Sequence, residues 1–411
     1  VPIRLRPVLR LSTVALLVLP AACARIVEPP PGTGRSPSPA PMTRVRLPPE
    51  AEGLPDRVLF GVANLPLPLV LSGTTAYIAT HTSLLAVDVR SGQTLATVAP
   101  AHPLRPGPRG PAWNPAAPPI LVKGTVVVPL LAEGPAVELI QVEAATGRRL
   151  ASATIAIDAV PQPPTVDKQW LAVAGVAGTV AVLRVNGTTY GVDLTRGTTV
   201  WREPGFTAAA LAGDVIVGWY TEAGAAQRAA GLRAADGVRL WTDKTAGRGL
   251  SAVTGGPQLA VLQGRADGRY LRVVQAATGR PQPLPANVTA AVAKVSTVDG
   301  DAFACRYDGA STTVCGAMWD DWNAAFDATT GHWLWEVRAA TKGRTPIRLT
   351  AAWHGLVYGT ENGTRPVVLD ARTGAVRASA AVAAPYVVDA AAGVGPPIQG
   401  DGMYAFSISV Q

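Results

Sequence analysis

The sequence predicts an all-β fold: four-stranded antiparallel units arranged as a propeller. Three observations lead there. One short pattern recurs seven times along the chain. With 42 Gly and 37 Pro among 411 residues, turns are frequent and long helices disfavoured. Hairpin dipeptides fall between the copies, at Asn186-Gly187, Asp267-Gly268, Asp308-Gly309, Asn362-Gly363 and Asp401-Gly402.

Before the repeats, residues 1–10 carry Arg4, Arg6 and Arg10 and no acid, and residues 11–22 run largely apolar into small residues. That order predicts a signal peptide over 1–22. As a helix, the apolar part would rise about 18 Å, short of the roughly 30 Å of a bilayer core. Leu19-Pro20-Ala21-Ala22-Cys23 resembles a bacterial lipobox, with Pro20 where a branched aliphatic is usual. The resemblance implies a lipidated Cys23 and a protein held by lipid on the extracytoplasmic face of the cell membrane. Residues 23–56 are rich in proline and read as an extended tether. The propeller is expected over 57–411.

The repeated pattern is an apolar strand, an acid, a few small or polar residues, Gly and a second strand. Its copies are LLAVDVRSGQTL (84–95), LIQVEAATGRRL (139–150), TYGVDLTRGTTVW (189–201), AGLRAADGVRLW (230–241), LRVVQAATGRPQ (271–282), NAAFDATTGHWLW (323–335) and PVVLDARTGAVR (366–377). The glycines Gly92, Gly147, Gly197, Gly237, Gly279, Gly331 and Gly374 recur about every 47 residues. That period holds four strands and their turns. The acid, four residues before Gly, is suited to accept backbone N–H groups, and Gly supplies the left-handed turn position. Trp201, Trp241 and Trp335 each lie four residues after a glycine, where a flat ring packs between neighbouring units. Asp88, Asp193, Asp327 and Asp370 are read with them as architecture. Residues 57–63 (RVLFGVA) and the strands in 393–411 predict an eighth, composite blade that removes sheet edges. Seven blades with differently paired ends is the alternative.

Ala325-Phe326-Asp327-Ala328-Thr329-Thr330-Gly331-His332-Trp333-Leu334-Trp335 resembles the repeat signature of the pyrroloquinoline-quinone-like (PQQ-like) β-propellers, and the copies at Asp193 and Asp370 follow it well. The resemblance covers roughly 57–411 and implies the propeller fold. Its enzymes, the quinoprotein dehydrogenases, carry adjacent cysteines and a calcium-holding acid set. This chain has no Cys-Cys pair, so neither a cofactor nor dehydrogenase activity is expected. Among propeller lipoproteins, the closest functional analogue by resemblance is that of the outer-membrane barrel-assembly machinery.

Cys305 and Cys315 flank a turn, and in an exported chain they are expected to form a disulfide. Two cysteines ten apart without a neighbouring histidine lack zinc spacing. The four histidines are scattered, and no His-x-His, no His-Glu pair and no Gly-x-Ser-x-Gly elbow occurs. The stretch Trp319-Asp320-Asp321-Trp322 offers two aromatics around two carboxylates, a candidate patch for a sugar or a cation. The net charge of +8 is spread without basic stretches interleaved with aromatics, so no nucleic-acid partner is expected.

The sequence therefore predicts a monomeric, membrane-anchored, non-catalytic platform for a protein or cell-envelope polymer. The alternative is a binder or sensor of a small ligand or glycan in the channel. A quinoprotein-type oxidoreductase ranks below both.

Overall fold

A computed structural model of the chain describes residues 42–45, 68–104 except 81, 117–158, 171–294 except 223–225, 246 and 267, 303–317, 322–339, 344–378 except 364, 384–395 and 403–407. The predicted signal peptide, Cys23 and the segment 57–63 lie outside these residues. All the strands belong to one unit, residues 39–411.

Eight antiparallel sheets follow one another along the chain. Blade 1 is Leu69–Ser72, Thr75–Ala79, Leu84–Asp88 and Thr94–Val98. Blade 2 is Ile120–Val122, Thr125–Ala132, Ala136–Glu143 and Arg149–Ala156. Blade 3 is Leu171–Ala177, Val180–Val185, Thr188–Asp193 and Thr198–Pro204. Blade 4 is Phe206–Ala212, Val215–Thr221, Gln227–Arg233 and Arg239–Thr242. Blade 5 is Arg248–Thr254, Leu259–Arg265 and Arg269–Gln275. Blade 6 is Phe303–Tyr307, Thr312–Ala317, Trp322–Asp327 and Trp333–Arg338. Blade 7 is Arg348–Trp353, Leu356–Glu361, Arg365–Asp370 and Val376–Ala378. Blade 8 joins Val387–Val388, Ala392–Gly395 and Met403–Ser407 to Met42–Val45.

The first strand of each blade touches the first strand of the next, and that of blade 8 returns to that of blade 1. The sheets thus close into a ring, as an eight-bladed propeller requires. Closure is composite, as the repeat count predicts, but with a different strand. Met42–Val45 pairs with Met403–Phe406 as the outermost strand of blade 8, so the sheet takes in residues that the sequence assigns to the tether. An outermost strand has a free edge, which tolerates charge and flanking proline. MTRV between Pro41 and Pro48 therefore pairs without having the apolar look of RVLFGVA.

The core lies between the sheets. Leu71, Ile78 and Val87 of blade 1 pack with Ala392, Val394 and Ala405 of blade 8, sealing the ring. Phe326 and Trp322 of blade 6 pack with Val261 and Val273 of blade 5. Central strands are covered on both faces, which accounts for continuous apolar runs such as VVVPLLA in blade 2. Blade 5 lacks a fourth strand. Pro281 and Pro283 occupy that place, and proline cannot donate to a ladder, so only the bridge between Val274 and Pro281 forms. A helix, α1 (Ala286–Lys294), follows and packs Val288 and Val292 against blades 5 and 6.

Candidate functional site

An antiparallel four-strand meander places its first and third turns at one end and its second turn, with the link to the next blade, at the other. In this chain the two ends differ sharply.

At the first end every connection is tight, none longer than five residues. The repeated acids sit here as turn formers. Asp327 Oδ1 accepts the N–H of Thr329 at 3.1 Å, the N–H of Thr330 at 2.9 Å and the Thr330 hydroxyl at 3.0 Å. Asp88, Asp193 and Asp370 repeat the geometry. The backbone N–H of Thr330 and other donors hold the Asp327 carboxyl below its ordinary pKa, against the opposing effect of burial. For Asp370 the Arg377 guanidinium is the largest cause of the same downward shift. In Asp327 and Asp370 the other oxygen is taken as well, by Arg372 at 3.2 Å and Arg377 at 2.6 Å. The glycine N–H returns to the carbonyl four residues back at 2.8–2.9 Å in all seven copies, including those with Glu143, Arg233 or Gln275 in the acid position.

The tryptophans are also consumed. Each indole Nε1 donates to the next blade: Trp201 to Ala234 O at 2.8 Å, Trp241 to Ala276 O at 2.6 Å and Trp335 to Ala371 O at 2.8 Å. Each ring lies on the next turn's glycine. A Cβ at Gly279 would stand 2.5 Å from the Trp241 ring, and one at Gly374 would stand 2.8 Å from Trp335.

At the second end the connections are long: residues 99–119, 157–170 and, past the tight turn at Gly279 and the bridge at Pro281, residues 282–302 with α1. Polar side chains on the third strands, and Glu336 on the fourth strand of blade 6, tie down links between blades at this end. Glu138, 3% exposed, accepts Ala101 N–H at 2.7 Å and pairs with Arg149, which donates to Ala99 O at 3.0 Å. Thr189 donates its hydroxyl to Phe206 O at 2.7 Å, and Gln227 accepts Leu250 N–H at 2.7 Å. Asn323, 1% exposed, both accepts from Ile347 N–H at 2.6 Å and donates to Ile347 O at 2.9 Å. Glu336 collects Trp322 Nε1 at 2.9 Å, Arg338 Nε at 2.8 Å and the Asn287 amide of α1. Sequence reasoning missed these clamps. For Glu138, Thr189, Gln227 and Asn323 the only signal is a polar residue near the start of the third strand.

Trp319, Asp320 and Asp321 lie outside the described residues. Trp322 is turned inward. It is 2% exposed and meets Phe303 edge-on at 5.9 Å between ring centres, so its ring cannot flank a ligand as the sequence patch requires. Cys305 and Cys315 face each other across the first hairpin of blade 6 and form the expected disulfide. Among the described residues no three His, Cys, Asp or Glu side chains converge. His354 stacks on Trp353 at 4.4 Å.

Neither a family model nor a curated protein matches this chain. Solved structures do. The computationally designed Ika8 protein superposes with a TM-score of 0.50 at 16% identity, over 83% of this chain and 95% of that one. BamB from Moraxella catarrhalis matches with a TM-score of 0.47 at 14% identity, over 90% of this chain and 99% of that one. U3-55K matches with a TM-score of 0.40 at 11% identity, over 82% and 92%. At such identities the likeness to Ika8 bears on the fold alone.

Proposed function

We propose that the protein is a non-catalytic binding platform: a monomeric propeller tethered by lipid on Cys23 outside the cytoplasm, presenting its long-connection end to a protein partner. The observation that carries this reading is the contrast between the ends. One is closed by tight turns whose carboxylates and indoles are spent on architecture. The other carries the long connections, two of which are tied to the frame, one at Ala101 by Glu138 and one at Asn287 by Glu336. Loops on a rigid scaffold are where recognition concentrates. A cell-envelope polymer would use the same end.

The test is cross-linking on intact cells with wild-type protein and Cys23→Ala, identifying captured species by mass spectrometry. A defined protein captured by the anchored form and lost from Cys23→Ala supports the proposal. Capture of no protein, or equal capture by both forms, overturns it.

A further inference from the structure

The composite blade fixes where the N-terminal part of the chain enters the propeller. Met42–Val45 runs antiparallel to Met403–Ser407, the third strand of blade 8. Third strands run from the long-connection end to the tight-turn end. Val45 stands opposite Met403, where that strand begins, and Met42 stands opposite Phe406, near its finish. The chain therefore arrives at the rim of blade 8 from the tight-turn end. In the six other four-stranded blades the fourth strand is entered through a tight turn from the third. In blade 8 it is entered by the segment that follows Cys23.

Between Cys23 and Met42 lie 18 residues, six of them proline. At the rise of a proline-rich spacer, roughly 3.1 Å per residue, they span about 55 Å. Proline at 37, 39 and 41 makes every residue of 36–41 either a proline or the residue before one, and both favour extended backbone. The sequence thus opposes a reversal just before the propeller. The eight-residue strands of blade 2 stand about 25 Å tall. To bring the long-connection end to a bilayer that holds Cys23, the chain would have to fold back before Met42 and retrace that height. The tight-turn end asks for no reversal, and its connections, none longer than five residues, let it lie close to a flat surface.

We infer that the tight-turn end faces the membrane and the long-connection end points away from it, toward a protein whose contacting domain stands clear of the bilayer. This orientation rests on the lipidated Cys23 and the partner platform proposed above. A partner embedded in the same membrane would meet the tight-turn end, whose carboxylates and indoles are occupied.

The test is energy transfer from a single dye to acceptor-labelled phospholipid, with the lipidated full chain in vesicles of phosphatidylethanolamine and phosphatidylglycerol. Cys305 and Cys315 are disulfide-bonded and Cys23 carries the lipid, so one introduced cysteine takes the dye. Glu133→Cys and Thr146→Cys lie in exposed turns at opposite ends of blade 2, and Lys244→Cys and Ala235→Cys flank the last strand of blade 4 in the same way. Dyes at Thr146 and Ala235 are expected to lie nearer the lipid than their counterparts by roughly 20–25 Å, the height of a blade, and to transfer more strongly. In cells, the partner peptide cross-linked from a photo-reactive residue at Lys244 is expected to come from a soluble domain. Equal transfer from the two ends, or more from the long-connection end, by protein that floats with the vesicles overturns the orientation. A cross-linked peptide within or adjoining a membrane-spanning segment overturns the partner class. Protein that fails to float overturns the anchor, and no adduct at Lys244 overturns the platform, so those failures are told apart from failure of the orientation itself.

Discussion

Gly279→Ala isolates the packing that joins one blade to the next. Gly279 has φ +68°, and a Cβ there would stand 2.5 Å from Cδ2 and 2.6 Å from Cε3 of Trp241, where carbon atoms ordinarily rest about 3.5–4.0 Å apart. The ring cannot retreat. Its Nε1 is bonded to Ala276 O at 2.6 Å, and on its other side it lies so close to Gly231 that a Cβ there would be 2.1 Å away. Two costs therefore add: about 1–2 kcal/mol for the left-handed backbone and about 1–3 kcal/mol for overpacking. The comparison is Gly187→Ala, at φ +81° with nothing within 4 Å, which should cost only the backbone part, about 1–2 kcal/mol. Urea unfolding followed by far-ultraviolet circular dichroism gives both values, provided the slope with denaturant is unchanged. In a Trp241→Ala background the packing part should vanish, leaving a coupling of about 1–3 kcal/mol between the two sites. Equal losses at Gly279 and Gly187, or strict additivity with Trp241→Ala, would refute the stacking argument.

The remaining predictions concern pH, the long-connection end, the disulfide and the anchor. Asp193, Asp327 and Asp370 titrate lower when folded than the ordinary aspartate value of about 3.9. The stability they contribute is thus present above that value and lost as pH falls through the lower folded values, so melting temperature should drop on acidification below about pH 4. A melting temperature flat from pH 5 to pH 2 would contradict the turn roles. Asn323→Ala strands the buried N–H and C=O of Ile347 and should cost about 2–4 kcal/mol in urea unfolding. Replacing Cys305 and Cys315 together by Ala opens a loop with a sequence separation of 10 and should lower stability by about 2–3 kcal/mol, read in the same assay. Cys23→Ala should move the protein from the membrane fraction to the soluble one on cell fractionation.

The legible part of the fold was its periodic part. The turn glycines, the acids before them and the tryptophans after them are local signals, and each occupies the place its spacing implies. What escaped the sequence was non-local. Met42–Val45 shows a pairing strand only in the presence of Met403–Ser407, because an edge strand needs little apolar character of its own. The clamps made by Glu138, Asn323 and Glu336 depend on chain segments 24–49 residues away. Trp322 looked ligand-facing beside two aspartates, yet strand alternation and the neighbouring Phe303 turn it into the core.

The most direct test of the platform reading is a positional one. A photo-cross-linking amino acid is placed in cells at Glu133, Lys244 or Ala266, exposed at the long-connection end, and at Gln93, Thr146 or Thr329, exposed at the tight-turn end. The account predicts adducts with one and the same protein from the first three positions and none from the second three. Adducts from the tight-turn positions, or none from any of the six, would contradict it.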